Sequence, residues 1–317
     1  MKNKKQTIDY SKIIKINYDI KQVNEQISNH LDSFIIACEK NYNAQVNEVA
    51  NYIAKNKIKM LFVAGPSSAG KTTTSALISE HLLKKNIGSL VVSIDDFFVD
   101  LKDTPLLPDG LPDFDNFTTV DIKTFNKVFK DLMTKHRAKM PRFSFEKHKR
   151  DKYDMVEISD SDVVIIEGLH ALNPNLLTTK EFDDKIAKLY ICTNSVFTHK
   201  DKVIANERDI RLMRRTYRDF YTRDKEPMDT FKQWKHVCEG EDLYITPYRD
   251  EADFFIDTTR AYEICLWANY FQEVCNKNKN EKDVKQFNSK FKHIKKVNKN
   301  IVPENSLLWE FLVNKES

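Results

Sequence analysis

Glycine is nearly missing from this chain: six occur in 317 residues, against about 22 at the usual ~7%. Glycine loses the most backbone entropy on folding, so a chain that avoids it keeps it chiefly where the backbone needs it. Two of the six, Gly65 and Gly70, share one short window, and Gly168 follows an acid that ends an apolar run. The five cysteines (Cys38, Cys192, Cys238, Cys265 and Cys275) form no C-x-x-C pair, which argues against a disulfide framework and a zinc site. Long apolar runs are also lacking. Met60–Ala64 and Val163–Ile166 fall far short of the ~20 residues of a membrane helix, and the first thirty residues lack the apolar stretch of a secretory signal. The expectation is a cytoplasmic protein with no membrane partner. Arginine is scarce and uneven: only 11 of 51 basic residues are Arg, yet Arg208, Arg211, Arg214, Arg215, Arg218 and Arg223 fall together.

At 41% hydrophobic and 31% charged residues the chain is globular in composition. Residues 1–22 are polar and weakly patterned, predicting a loosely ordered lead-in. Val23, Ile27, Leu31, Phe34, Ile35 and Cys38 recur at helical spacing, as do Val46, Val49, Ala50 and Ile53, predicting two helices ahead of the main domain. From Lys59 onward, short apolar runs (Met60–Ala64, Leu90–Ile94, Val163–Ile166, Lys188–Cys192, Asp253–Ile256) alternate with amphipathic stretches near 72–85, 121–135, 206–222, 229–238 and 260–275. That alternation predicts an α/β fold, a parallel sheet with helices on both faces. The expected organisation is an N-terminal helical extension (1–57), a central domain (58–275) and a Lys-rich segment (276–317) that docks back. Residues 276–300 hold nine Lys against Glu281 and Asp283. With only Phe287 and Phe291 interleaved, this reads as a solvated face rather than a nucleic-acid surface.

Gly65-Pro66-Ser67-Ser68-Ala69-Gly70-Lys71-Thr72 fits G-x-x-x-x-G-K-[ST], with Thr73 next. In such a loop successive backbone N–H groups turn inward on phosphates, and the following helix adds its positive end. Lys71 reaches the β- and γ-phosphates and the Thr72 hydroxyl offers a ligand to Mg²⁺. Glu167, at the end of the apolar run from Val163, suits the second magnesium-holding position.

Neither an N/T-K-x-D guanine-reading element nor an LSGGQ-like signature occurs. A small-molecule kinase needs instead an acid near the γ-phosphate and cations over the transferring group. Asp95 and Asp96 end the run Leu90–Ile94, at the edge where α/β sheets bind ligands. Arg208, Arg211, Arg215 and Arg218 share one helix face with Arg214 beside them, and guanidinium forks grip phosphate oxygens bidentately. A salt-bridged surface helix using Asp209 and Asp219 is the alternative for that stripe.

The GPSSAGKTT loop, Ser93-Ile94-Asp95-Asp96-Phe97-Phe98, Phe114-Asp115, Pro141-Arg142-Phe143-Ser144-Phe145, Ile165-Ile166-Glu167-Gly168-Leu169-His170 and Asp209-Ile210-Arg211-Leu212-Met213-Arg214-Arg215 occur in that order. Together, over about Ile58 to Ala268, they resemble the uridine kinase / phosphoribulokinase group of P-loop kinases. Ser93–Asp100, His170-Ala171-Leu172-Asn173-Pro174 and Val302-Pro303-Glu304-Asn305-Ser306 are similar to bacterial nucleoside kinases that carry a threonyl-tRNA-synthetase-like front half, which is not found here. The resemblance implies a nucleoside-monophosphate-kinase-like fold and Mg²⁺-dependent transfer of the γ-phosphoryl of ATP or GTP to the ribose 5′-hydroxyl of uridine or cytidine. It implies Asp95 as base, with Thr72, Asp95 and Glu167 sharing the metal, and Arg211, Arg214 and Arg215 in a mobile lid. Asp115 would hold a ribose hydroxyl, and Arg142, Phe143, Phe145 and His148 would belong to the acceptor site. Phe143-Ser144-Phe145 stands where uridine kinases usually have Tyr-Asp-Phe, which removes a phenol that could bond the pyrimidine edge, and Phe98 replaces a Tyr. Another acceptor (a purine nucleoside, a sugar phosphate or pantothenate), a non-catalytic nucleotide-binding regulator, and a homo-oligomer all stay open.

Overall fold

The structure is a computed structural model that describes residue 13 and residues 15–107, 110–278 and 280–312. Most of the expected lead-in, residues 1–12 and 14, lies outside the described residues, as do residues 313–317. Along the chain, β1 (Ile16–Asp19) leads into α1 (Ile20–Asn29) and the long α2 (Leu31–Asn56). Next come β2 (Met60–Ala64), α3 (Lys71–Leu83), β3 (Ser89–Ser93) and α4 (Ile122–Lys135). They are followed by β4 (Arg137–Ser144), β5 (Lys149–Glu157), β6 (Val163–Glu167), β7 (Ile186–Cys192), β8 (Ser195–His199) and β9 (Lys202–Ala205). The last elements are α5 (Glu207–Thr222), α6 (Pro227–Tyr244), β10 (Phe254–Asp257), α7 (Glu263–Lys277) and α8 (Lys282–Lys290).

The five apolar runs form one parallel sheet in the order β10-β7-β2-β6-β3. Every residue of β2 and β6 is buried, as strands covered on both faces must be. Alternate side chains of β2 serve the two faces. Leu61 and Val63 join the core made with α1, α2, α3, α5 and α7, while Met60, Phe62 and Ala64 join the one made with α4 and the β4–β5 hairpin. Because all five strands run the same way, the ends of β2, β3 and β6 reach one edge together. The phosphate loop, Asp95 and Glu167 meet there.

Three expectations are corrected. Residues 16–22 lie in regular structure rather than in a loose lead-in: β1 pairs in parallel with β8, which pairs with β9. Its partner lies far along the chain, so four residues of local sequence carry no sign of it. The two predicted helices are also divided differently. The break falls at His30 (φ −142°, ψ 34°) and α2 then runs unbroken to Asn56; one non-helical residue leaves the apolar spacing nearly in phase, so periodicity does not register it. The antiparallel hairpin β4–β5, with a bulge at Arg142/Phe143, was not predicted either. β5 has no fully buried residue, and without a buried face it lacks the apolar alternation that marks a strand.

The N-terminal helices and the C-terminal segment share the sheet's core: Leu307, Leu308, Phe311 and Leu312 are buried with Val46, Val49 and Ile53. A polar network ties the same parts. Glu39 of α2 accepts from Arg260 Nε (3.2 Å), Tyr262 OH (2.5 Å) and Ser306 Oγ (2.7 Å). The Arg260 guanidinium stacks 3.8 Å from the Tyr42 ring centroid, and Tyr42 OH meets Thr74 Oγ1 of α3 at 2.8 Å. Removing one partner of a buried ion pair strands the other charge, at about 3–5 kcal/mol. Glu39→Ala is therefore expected to lower unfolding free energy by that amount in urea denaturation; an unchanged midpoint would contradict the role given to this network.

Candidate active site

The phosphate loop bridges β2 and α3. Gly70 caps α3 at φ 91°, a left-handed conformation that side chains resist, and a Cβ there would lie 2.6 Å from Leu307 Cδ1. Gly65 packs so closely that a Cβ would meet the Ile191 carbonyl oxygen at 2.0 Å. Inside the loop, Ala69 N–H donates to the Pro66 carbonyl (3.2 Å) and Lys71 Nζ to the same oxygen (3.3 Å). Ser68 Oγ is buried with no hydrogen-bond partner among the described residues.

Behind the loop sit two arginines. Arg211 donates to the Ser67 carbonyl (3.2 Å) and to Glu241 Oε2 of α6 (2.7 Å). Arg214 donates to the Ser68 carbonyl (3.4 Å), to Thr258 O (2.8 Å) and, in a fork, to both Glu263 oxygens at 2.8 Å. Both side chains are fully buried. The expected mobile lid is thus corrected for Arg211 and Arg214: they brace the loop's carbonyl side from within the core. Tying the Ser67 carbonyl back favours the Ser68 N–H facing the open side, since the two ends of a peptide plane point oppositely, whereas the N–H across from the Ser68 carbonyl, that of Ala69, is held by the Pro66 carbonyl. The stripe also carries ion pairs of the alternative reading: buried Asp219 gathers Arg215, Arg218 and Arg223.

In front of the loop lies a cleft of about 290 Å³. Its lining brings together Ser67, Ser68, Gly70, Lys71, Thr72, Asp95 and Glu167 with Asp115 and Phe145. Arg215 also lines it, donating to Ser67 Oγ at 2.7 Å. Arg218, one of the phosphate-gripping cations expected from sequence, lines it too; Arg223, Phe98, Phe114 and Glu310, with Gly168 and Leu169, complete the wall and were not chosen as site residues from sequence. Arg223 belonged to the visible arginine cluster, whereas Glu310 lies just past the Val302–Ser306 resemblance with no phosphate-binding pattern around it. Arg142 does not reach the cleft lining; Asp96 (2.8 Å) and Asp154 (2.8 Å) hold it. Phe143 is buried behind Phe145, edge-to-face at 5.2 Å. His148 is exposed and stacks on Phe114 at 6.3 Å.

Charges in the cleft oppose one another. Burial, and then Glu167, push the Asp95 carboxyl up to about 7, with Lys71 pulling the other way. Burial likewise raises Glu167 and Asp115, partly offset by Lys71 and Arg215 respectively. Burial lowers Lys71, against Glu167, Asp95 and Glu310. A hydroxyl and two carboxylates (Thr72, Asp95, Glu167) form an all-oxygen donor set, which suits a hard cation such as Mg²⁺. Among the described residues no three His, Cys, Asp or Glu side chains are set to hold a metal by themselves. Mg²⁺ needs no such cage, because it is held by one or two carboxylates together with substrate phosphates and water.

The sequence model of the phosphoribulokinase / uridine kinase family matches residues 60–265. The chain belongs to that family. It is similar to the uridine kinase of Halobacterium salinarum, 25% identical over 195 residues that cover 61% of this chain and 77% of that protein. Similarity to the uridine kinase of Mycoplasma genitalium is also 25%, over 206 residues, covering 65% of this chain and 87% of that one. Among solved structures, a possible uridine kinase from Bacillus stearothermophilus aligns with TM-score 0.36 and 21% identity, over 46% of this chain and 79% of that chain. As a family member the chain is a P-loop phosphotransferase, and the matched span holds every cleft residue named above except Glu310.

Two outcomes follow from this geometry. Arg214→Lys keeps the charge but loses the fork to Glu263, and is expected to cost at least about 2 kcal/mol of stability in chemical denaturation; an unchanged midpoint would return Arg214 to an exposed role. The Asp95 carboxyl has a higher pKa folded (about 7) than its ordinary 3.8, so the native state binds the extra proton between those values. Its contribution is most favourable below about pH 4 and is lost as pH rises through about 7. Without magnesium, Asp95→Asn is expected to be more stable relative to the parent at pH 8.5 than at pH 4, read from urea midpoints at each pH; a constant difference would contradict the raised pKa.

Proposed function

We propose that the chain transfers the γ-phosphoryl of ATP or GTP to the ribose 5′-hydroxyl of a pyrimidine nucleoside, uridine first and cytidine second. The observation that carries this reading is the cleft that brings the Asp95 carboxyl together with Lys71, Thr72 and Glu167 at the phosphate loop. A carboxylate placed beside the position of the γ-phosphate is suited to taking the proton of an acceptor hydroxyl. In the proposed step the acceptor oxygen bonds to the γ-phosphorus as the γ-phosphorus–oxygen bond to the β-phosphate breaks. The acceptor proton passes to Asp95, and the nucleoside diphosphate leaves with the electron pair. Lys71, Arg215 and Arg218 spread positive charge over the transferring oxygens. Mg²⁺, held by Thr72, Asp95 and Glu167, would neutralise phosphate charge.

Support for a nucleoside acceptor comes from other residues lining the same cleft. Asp115 offers a carboxylate to ribose hydroxyls, while Phe98, Phe114 and Phe145 offer apolar faces to a planar base. The relatives named above are uridine kinases. A second reading, the same reaction on another small hydroxylic acceptor, rests on Phe143-Ser144-Phe145: that wall lacks a phenol, and a site with fewer polar contacts discriminates less between acceptors.

The deciding measurement is ADP release with Mg²⁺-ATP across uridine, cytidine, purine nucleosides, sugar phosphates and pantothenate. Turnover is expected with uridine above all others, and a preference for a non-nucleoside acceptor would sink the pyrimidine assignment. With the best acceptor, Lys71→Ala and Asp95→Asn are each expected to lower kcat by at least about 100-fold with folding retained. Full turnover by Asp95→Asn would remove it as the base.

A further inference from the structure

The first turn of the phosphate-loop helix is already engaged with a carboxylate from the far end of the chain. Glu310 Oε2 accepts from Thr73 N–H at 3.2 Å and from Thr73 Oγ1 at 2.6 Å, across 237 residues. Glu310 ends a single helical turn, Leu307–Glu310, whose backbone is firmly seated. Ser306 Oγ accepts from Leu308 N–H (3.3 Å) and donates to Glu39 Oε1 (2.7 Å), and Trp309 Nε1 donates to the Pro303 carbonyl (2.8 Å). Leu307 and Leu308 are fully buried, the former against Gly70, and the Arg214 guanidinium lies 5.1 Å from the Phe311 ring centroid. The half-buried Glu310 side chain projects from this fixed turn into the cleft, among the groups whose charge acts on Lys71.

A backbone N–H and a hydroxyl in the first turn of a helix that follows a phosphate loop are donors suited to an anion. In this chain the anion they hold is Glu310. A carboxylate and a phosphate cannot share those two hydrogens, and their like charges repel at such range.

We propose that Glu310 is a resident competitor for the nucleotide: a triphosphate settles on the loop only when the Glu310 side chain swings off Thr73, whose N–H and hydroxyl then pass to a phosphate oxygen. The turn itself stays docked, since its apolar residues are buried, and only the side chain moves. The C-terminal segment thereby belongs to the nucleotide site and weakens its affinity, setting the nucleotide concentration at which the cleft fills. This inference rests on the proposed binding of a triphosphate at the loop.

Titration calorimetry with Mg²⁺-ATP on the full chain tests it, using the parent, Glu310→Gln and Glu310→Ala. Losing a charge-assisted competitor is expected to tighten ATP binding about tenfold in both variants. A merely structural Glu310 would instead weaken binding when replaced. Binding by the parent with equal or weaker affinity in the variants overturns the competitor role alone. No heat in any of the three, with ATP or GTP, overturns both that role and the proposed function. Glutamine matches glutamate in size, so Glu310→Gln decides the matter even if Glu310→Ala fails to fold.

Discussion

The fork between Arg214 and Glu263, at 2.8 Å on both arms, is the contact on which the phosphate cleft depends. It joins α5 to α7, and the same guanidinium reaches the Ser68 carbonyl and Thr258. Glu263 also accepts from Trp267 Nε1 and Arg260 N–H, so its oxygens are well satisfied despite full burial. A buried pair persists only when its remaining hydrogen-bonding capacity is met. One of those extra bonds, from Arg214 to the Ser68 carbonyl, falls on the phosphate loop, and the stability of the core and the shape of the cradle are linked through it.

In front of that brace the cleft balances acids against bases. Asp95, Asp115, Glu167 and Glu310 face Lys71, Arg215, Arg218 and Arg223. Asp219 stands just behind as the anchor of three of those arginines, which limits how freely they close over a ligand. Such a site is organised for charge that arrives with the ligand. A triphosphate would bring negative charge to the cations and Mg²⁺ would bring positive charge to the carboxylates. The large perturbation of Asp95 expresses that incompleteness.

Asp95 and Asp96 show how adjacent residues of one type take different work. After β3 the chain turns through Ile94–Phe97, which sends Asp95 into the cleft while Asp96 accepts from Arg142 and Phe143 N–H. Asp96 thus fixes the β4–β5 hairpin to the sheet edge and holds Phe145 at the cleft wall. The aromatic side of the site is positioned by this contact, and the phosphate side by Arg211 and Arg214.

The parallel sheet, the phosphate loop and the acids at the strand ends are legible without any tertiary information. Each of these is written in contiguous residues, as apolar runs, fixed glycine–lysine spacing, or an acid directly after a buried strand. What depends on partners far along the chain was left to the tertiary structure. The arginine stripe has one periodicity whether it faces phosphate or the core, and only Glu241, Glu263 and Thr258 decided that Arg211 and Arg214 turn inward. Strand β1 needed β8, and the hairpin's tie to the sheet edge needed Asp96. Glu310 follows the Val302–Ser306 resemblance but carries no phosphate-binding pattern of its own, and became part of the site only because burial of Leu307 and Leu308 carries its carboxylate to Thr73. Local spacing records what a residue can do, and long-range burial and charge pairing select which of those things it does.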